Sequence, residues 1–165
     1  FNVYTAGITS NQLEAPGRTL SFADDVLVYR HGRDRQEIAA LVQQELNRVD
    51  DWCSEMNGKI HPDKASTLWC SLNNHVVKAV MPDVSIAGKA IKRDHVLRYL
   101  GIIFDRSLSG KDHISRVVQR SRKGLTALKT MAGAKMPQKV LLILYQAFEV
   151  SVILYGLGLH CQMHK

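Results

Sequence analysis

Two short β-prone runs, residues 19–23 and 26–29, close on a pair of adjacent acids, Asp24 and Asp25. Runs of this kind joined by turn-forming residues read as a β-hairpin, which places the acid pair at the turn inside an apolar frame. On a regular strand neighbouring side chains point to opposite faces. At a tight turn the first acid can face a cleft while the second bears on it obliquely. An Asp-Asp dipeptide alone is a common solvated turn, so the neighbouring segments have to decide what this one does.

Downstream the period changes. Ile38, Leu41, Val42, Leu46, Val49, Trp52, Cys53 and Met56 recur at three- and four-residue steps across residues 34–56, which predicts a helix with one face on a core. Asn57-Gly58 ends it, with Gly58 expected in the left-handed terminal position. Residues 67–72 form a possible strand, residues 84–91 a hairpin around Ala87-Gly88-Lys89, and residues 96–104 a further apolar run ending near Asp105. A second helix begins near Asp112. Its apolar stripe is Ile114, Val117, Val118, Ser121, Leu125, Leu128 and Ala132, and Arg116, Arg120 and Lys123 lie on the opposite side. Residues 140–159 are apolar nearly all round, which means burial in protein or in lipid. Gln146 and Glu149 favour protein, because a carboxylate in mid-bilayer costs on the order of a few kcal/mol.

The formal charge is +7 and the pI about 9.5, which points first to a nucleic-acid partner and second to an anionic membrane surface. Between residues 106 and 139 nine lysines and arginines stand against the single acid Asp112, so the charge is concentrated in the helical half. We place a domain boundary near Asp105. With 45% hydrophobic residues the chain can build a core. Cys53, Cys70 and Cys161 are few and far apart, which fits a reducing compartment, nuclear or cytoplasmic, better than a disulfide framework. His160, Cys161 and His164 lack a fourth partner for a metal and read as a tail. His31, His75, His95 and His113 are single residues in loop-like contexts. No signal-like segment opens the sequence.

The stretch Phe22-Ala23-Asp24-Asp25-Val26-Leu27-Val28-Tyr29 resembles the Phe/Tyr-Ala-Asp-Asp box of reverse transcriptases. Phe1-Asn2-Val3-Tyr4 resembles the segment that leads into that hairpin. Asp51-Trp52 followed by Asn57-Gly58-Lys59-Ile60-His61-Pro62-Asp63-Lys64 resembles the helix-then-lysine element of LINE-type enzymes, with Ile60-His61 where Leu-Asn is commoner. Tyr99-Leu100-Gly101-Ile102 with Asp105 looks like a primer-grip hairpin, and the span from Leu144-Tyr145 to Ile153-Leu154-Tyr155-Gly156 looks like the family's thumb helix. The boxes follow one another in the family's order, which is what makes the resemblance to reverse transcriptases of non-LTR retrotransposons specific.

That resemblance implies an α+β fold: a partial polymerase palm, antiparallel sheet with packed helix, over residues 1–104, and a helical thumb over residues 105–165. It implies RNA-directed DNA synthesis, with an RNA template, a DNA primer, a deoxynucleoside triphosphate and no membrane. Nucleotidyl transfer uses two Mg2+ ions about 4 Å apart. Asp24 would be the primary ligand and Asp25 the secondary one. Lys64 would serve as general acid near the pyrophosphate leaving group. Tyr99, Leu100 and Gly101 would form the primer grip, and Arg116, Arg120 and Lys123 would track backbone phosphates. The family's third carboxylate and its fingers precede the segment that Phe1 matches, so the isolated chain is expected not to polymerise. The competing reading is a non-catalytic nucleic-acid or protein binding module derived from a retroelement.

Overall fold

A computed structural model of the chain describes residues 2–10, 13–73 and 80–157. Phe1, His75, His160, Cys161 and His164 lie outside the described residues, and residues 2–4 of the opening motif enter only as backbone. The chain divides into two compact units, residues 1–67 with 79–94, and residues 68–78 with 95–165.

In the first unit α1 (Asn2–Ser10) precedes an antiparallel hairpin of β1 (Gly17–Phe22) and β2 (Asp25–Arg30), in register from Gly17 opposite Arg30 to Phe22 opposite Asp25. Helix α2 (Arg35–Glu55) packs on β2 and has both ends capped. The Asp34 carboxylate accepts from the backbone of Gln36 and Glu37, which satisfies two otherwise open donors. At the other end Gly58 N–H donates to the Cys53 carbonyl and Asn57 N–H to Ser54, a Schellman pairing. The left-handed residue is Asn57 (φ 54°), not the expected Gly58; asparagine tolerates that conformation, and the glycine follows it. Ala39 and Val49 are buried, and Ile38, Leu41, Val42, Leu46, Trp52 and Cys53 half-buried, so the apolar stripe faces the core except at its last member, Met56, which is exposed just past the helix end.

After a 3-10 turn at Pro62–Lys64 come β3 (Ser66–Thr67), β4 (Ser85–Ile86), β5 (Lys89–Ala90) and β6 (Lys92–Arg93). The expected strand over 67–72 shrinks to two residues pairing in parallel with β6. The hairpin at Ala87-Gly88 forms as expected, with φ 48° and 72° at its two central residues.

The second unit contains the hairpin β7 (Val96–Tyr99) and β8 (Ile102–Asp105), then α3 (Lys111–Gly133), α4 (Gln138–Leu144), a π-helical stretch at Tyr145–Val150, and α5 (Ser151–Leu154). Left-handed Lys135 and then Pro137 terminate α3. Its inward stripe is narrower than expected. His113 and Ser121 are buried and Val117 and Leu128 half-buried, while Ile114, Val118 and Leu125 are exposed. The apolar run expected over 140–159 is described to residue 157, and it is not buried all round. Leu142, Ile143, Phe148 and Leu154 are more than half exposed, because α3 covers only one face of this segment. Glu149 is the residue turned into that face; it accepts from the Ser121 hydroxyl at 2.8 Å and sits against Gly124. No described helix is long and apolar enough to cross a membrane.

The structure is therefore a mixture of helix and small, mostly antiparallel sheets.

Candidate metal and nucleic-acid site

Asp24 and Asp25 stand at the tip of the β1–β2 hairpin. The loop has two residues, Ala23 and Asp24, and Ala23 carries φ 53°. A left-handed alanine is strained by about 1 kcal/mol or more relative to glycine, so the surrounding strands must impose this turn. Both acids are exposed, and neither side chain takes up a hydrogen bond or ion pair among the described residues. Two free, adjacent carboxylates are a suitable oxygen donor set for a hard divalent cation such as Mg2+, which needs only one or two carboxylates besides water and phosphate. The described residues bring no group of three or more His, Cys, Asp or Glu side chains together.

What holds this hairpin is a buried acid that sequence reasoning missed. Glu45 of α2 is fully buried under the strands. Its carboxylate accepts from Thr19 Oγ1 on β1 at 2.7 Å, from Leu13 N at 3.2 Å and from Arg48 Nε at 3.0 Å. Arg30 of β2, its side chain likewise fully buried, brings Nη2 to 3.1 Å as an ion pair off hydrogen-bond alignment. Burial pushes the Glu45 carboxyl up, but the hydrogen bonds from Arg48, Thr19 and Leu13 and the Arg48 charge outweigh it and leave it below the usual range. One side chain thus ties both strands to the helix. The signal was present: position 45 lies on the apolar stripe between Val42 and Val49, where a charged residue has to be paired inside.

Lys64 ends the 3-10 turn and is exposed; no hydrogen bond or ion pair joins it to Asp24 or Asp25. Its neighbour Asp63 pairs instead with Lys89, whose hydrogen bond and charge lower the Asp63 carboxyl.

In the second unit Tyr99, Leu100 and Gly101 form the β7–β8 turn. Leu100 and Gly101 are its central residues, with φ 47° and 82°, the positive pair that a type I′ turn requires. The Leu100 carbonyl receives the hydroxyl of Tyr155. Buried His113 does not belong to a loop: it sits in the first turn of α3, and its Nδ1 accepts from Ile103 N at 3.3 Å. His95, by contrast, meets Arg106 on the surface.

Asp105 closes β8. Its carboxylate accepts from the backbone of Ser107, Ser109 and Gly110 and from both serine hydroxyls, at 2.6–3.1 Å. Burial works against the charge, but these donors bring the carboxyl down to about 2. The loop into α3 is built around this one residue.

Arg116, Arg120 and Lys123 are all exposed on α3 and free of ion pairs among the described residues. Arg116 and Lys123 line one open surface with Gln119, Thr126 and Arg122. Arg122 lines the same surface, and Arg120 stands four residues from Arg116 and three from Lys123, beside both on the helix.

Over 140 residues the chain is 25% identical to the RNA-directed DNA polymerase from mobile element jockey of Drosophila funebris, an alignment covering 82% of this chain and 15% of that protein. The corresponding Drosophila melanogaster polymerase is 24% identical over 145 residues, 85% of this chain and 15% of the relative. The chain is thus similar to RNA-directed DNA polymerases of non-LTR retrotransposons. A probable RNA-directed DNA polymerase from transposon X-element of Drosophila melanogaster is 26% identical over 102 residues, 62% of this chain and 11% of the relative. This chain thus spans about 15% of the length of the two jockey relatives. No family model matches it, and no solved structure matches with significance.

Proposed function

We propose that this chain is a segment of an RNA-directed DNA polymerase of a non-LTR retrotransposon, carrying two of its metal-binding carboxylates, its primer grip and its thumb. The observation that carries the reading is the hairpin tip, where Asp24 and Asp25 are exposed, adjacent and, among the described residues, unpaired, on a hairpin whose strands Glu45 ties to α2. Relatives that are themselves named RNA-directed DNA polymerases support it.

Asp24 and Asp25 would hold Mg2+. Divalent cations bound there would activate a primer hydroxyl and neutralise charge on the incoming triphosphate. The chain's own residues do the rest. Lys64, an exposed ammonium, donates a proton to the pyrophosphate leaving group. The Leu100–Gly101 turn approaches the primer strand closely through backbone. Arg116, Arg120 and Lys123, joined by Arg122, lie along the phosphates of a template–primer duplex without reading its sequence. Residues 1–104 form the palm share and residues 105–165 the thumb share. Among the described residues no third carboxylate joins Asp24 and Asp25, and on this reading the 165-residue chain alone binds template–primer and does not extend it.

Primer extension on an RNA template with Mg2+ tests this reading. A longer polymerase that includes these residues is expected to extend the primer and the isolated chain to bind it only. Robust synthesis by the isolated chain would refute the need for further carboxylates. Binding indifferent to Mg2+ and to the loss of both aspartates, with no synthesis by the longer protein, would favour a non-catalytic binding module.

A further inference from the structure

The two-residue turn between β7 and β8 is occupied by residues that do not by themselves favour it. Asn-Gly or Gly-Gly closes such a turn without strain, whereas this chain places a leucine at φ 47°. What holds Leu100 there comes from the far end of the same unit. Tyr155 leaves the last helical turn of α5 at φ −64°, ψ 120°, and its hydroxyl donates to the Leu100 carbonyl. Its ring edge lies 3.3 Å from where a Cβ on Gly101 would stand. The next residue, Gly156, has φ 77°, and a Cβ there would stand 3.1 Å from His113 Nε2. His113 in turn takes the Ile103 amide of β8 through Nδ1.

Three contacts therefore fix the hairpin end: a hydroxyl on Leu100, a ring edge on Gly101 and an imidazole on Ile103. Tyr155 is nevertheless 53% exposed, so its side chain adds little to core burial. Its hydrogen bond shapes the turn more than it stabilises the unit. A peptide group is planar and trans. Drawing the Leu100 oxygen onto Tyr155 therefore aims the Gly101 N–H the opposite way. That N–H takes up no hydrogen bond among the described residues. A backbone N–H held at fixed orientation on a glycine is a donor suited to a phosphate oxygen of a polynucleotide.

We propose that Tyr155 is a positioning residue for the Leu100–Gly101 turn, holding the left-handed leucine so that the Gly101 amide is presented to a phosphate near a primer terminus. The proposal rests on the reading of this turn as a primer contact and adds the residue that sets its geometry.

The test uses the 165-residue chain, a recessed-primer RNA–DNA duplex followed by fluorescence anisotropy, the Gly101 amide followed by nuclear magnetic resonance, and thermal unfolding. Tyr155→Phe is expected to shift the Gly101 amide and weaken duplex binding about tenfold. The thermal midpoint should stay within about 2 °C of wild type. In a Leu100→Gly background the turn is no longer strained, and Tyr155→Phe should then change affinity by less than about twofold. An unshifted amide with unchanged affinity overturns the role of Tyr155. A shifted amide with unchanged affinity overturns the primer-contact reading of the turn and leaves the positioning intact. A fall in affinity that is equal in both backgrounds, or that tracks a fall in the midpoint, marks Tyr155 as merely structural and overturns the proposal.

Discussion

Replacing Glu45 by glutamine removes one charge without changing shape, and the structure sets what that costs. Four groups surround the carboxylate, and three of them, Thr19, Leu13 N and Arg48, donate to it directly. The amide keeps one oxygen, but its NH2 end must face donors. Arg48, with 21% of its side chain exposed, can swing toward water; Arg30, fully enclosed, cannot. A buried charge left without its partner costs about 3–5 kcal/mol. That is a large share of the roughly 5–15 kcal/mol that holds a domain folded. Urea denaturation of the chain at pH 7, followed by circular dichroism, reads the loss. Adding Arg30→Met to Glu45→Gln removes the unpaired buried guanidinium while the amide oxygen still accepts a hydrogen bond, so the double variant should cost less than Glu45→Gln alone. The pH dependence has a definite sign. The folded Glu45 carboxyl lies below its ordinary 4.5, so its stabilisation is complete above that value and is lost as pH falls through the lower folded value. The gap between wild type and Glu45→Gln should narrow below pH 4.5. A loss under about 1 kcal/mol at pH 7, or a double variant less stable than the single one, would refute the lock between α2 and the hairpin.

Asp105→Asn should flatten the acid side of the stability curve. With the folded carboxyl at about 2 against an ordinary 3.8, Asp105 contributes about 2 kcal/mol above pH 3.8 that is lost as pH falls toward 2. Thermal midpoints measured from pH 5 to pH 2 check it, and a variant curve parallel to wild type would contradict it. Neutralising Arg116, Arg120 and Lys123 one at a time to glutamine should each lower the salt slope of RNA–DNA duplex binding by roughly 0.9. Equal losses on duplexes of different sequence are expected, and a sequence-dependent loss would show base contact instead. Asn57→Val should destabilise the first unit by about 1–3 kcal/mol, since a β-branched side chain is poorly accommodated at φ 54°, while Asn57→Gly should be near neutral. Chemical denaturation separates the two.

The elements that could be read from the chain are those fixed by neighbours in sequence. The acid hairpin, the Ala87-Gly88 hairpin and the helix opening at Asp34 rest on turn and cap chemistry spanning a few residues. What escaped depends on partners distant in sequence. Glu45 meets Thr19 across 26 positions, and Tyr155 meets Leu100 across 55. A leucine carries no turn signal, so its left-handed conformation could not be foreseen. The apolar run from 140 onward predicts full enclosure, yet α3 offers it one face, and the acid Glu149 occupies that face because Ser121 and Gly124 make room for its carboxylate. Composition and packing also divide the chain differently. Charge changes after Asp105, whereas the β7–β8 hairpin belongs with the helices, through His113 and Tyr155.

Whether Asp24 is a metal ligand of a polymerase is decided by primer extension on an RNA template with Mg2+, comparing Asp24→Asn with wild type in a longer polymerase that includes these residues. Losing one charged metal ligand should raise the barrier by about 4 kcal/mol and lower the rate about a thousandfold, with the fold unchanged. Synthesis by Asp24→Asn within a few-fold of wild type would contradict the assignment.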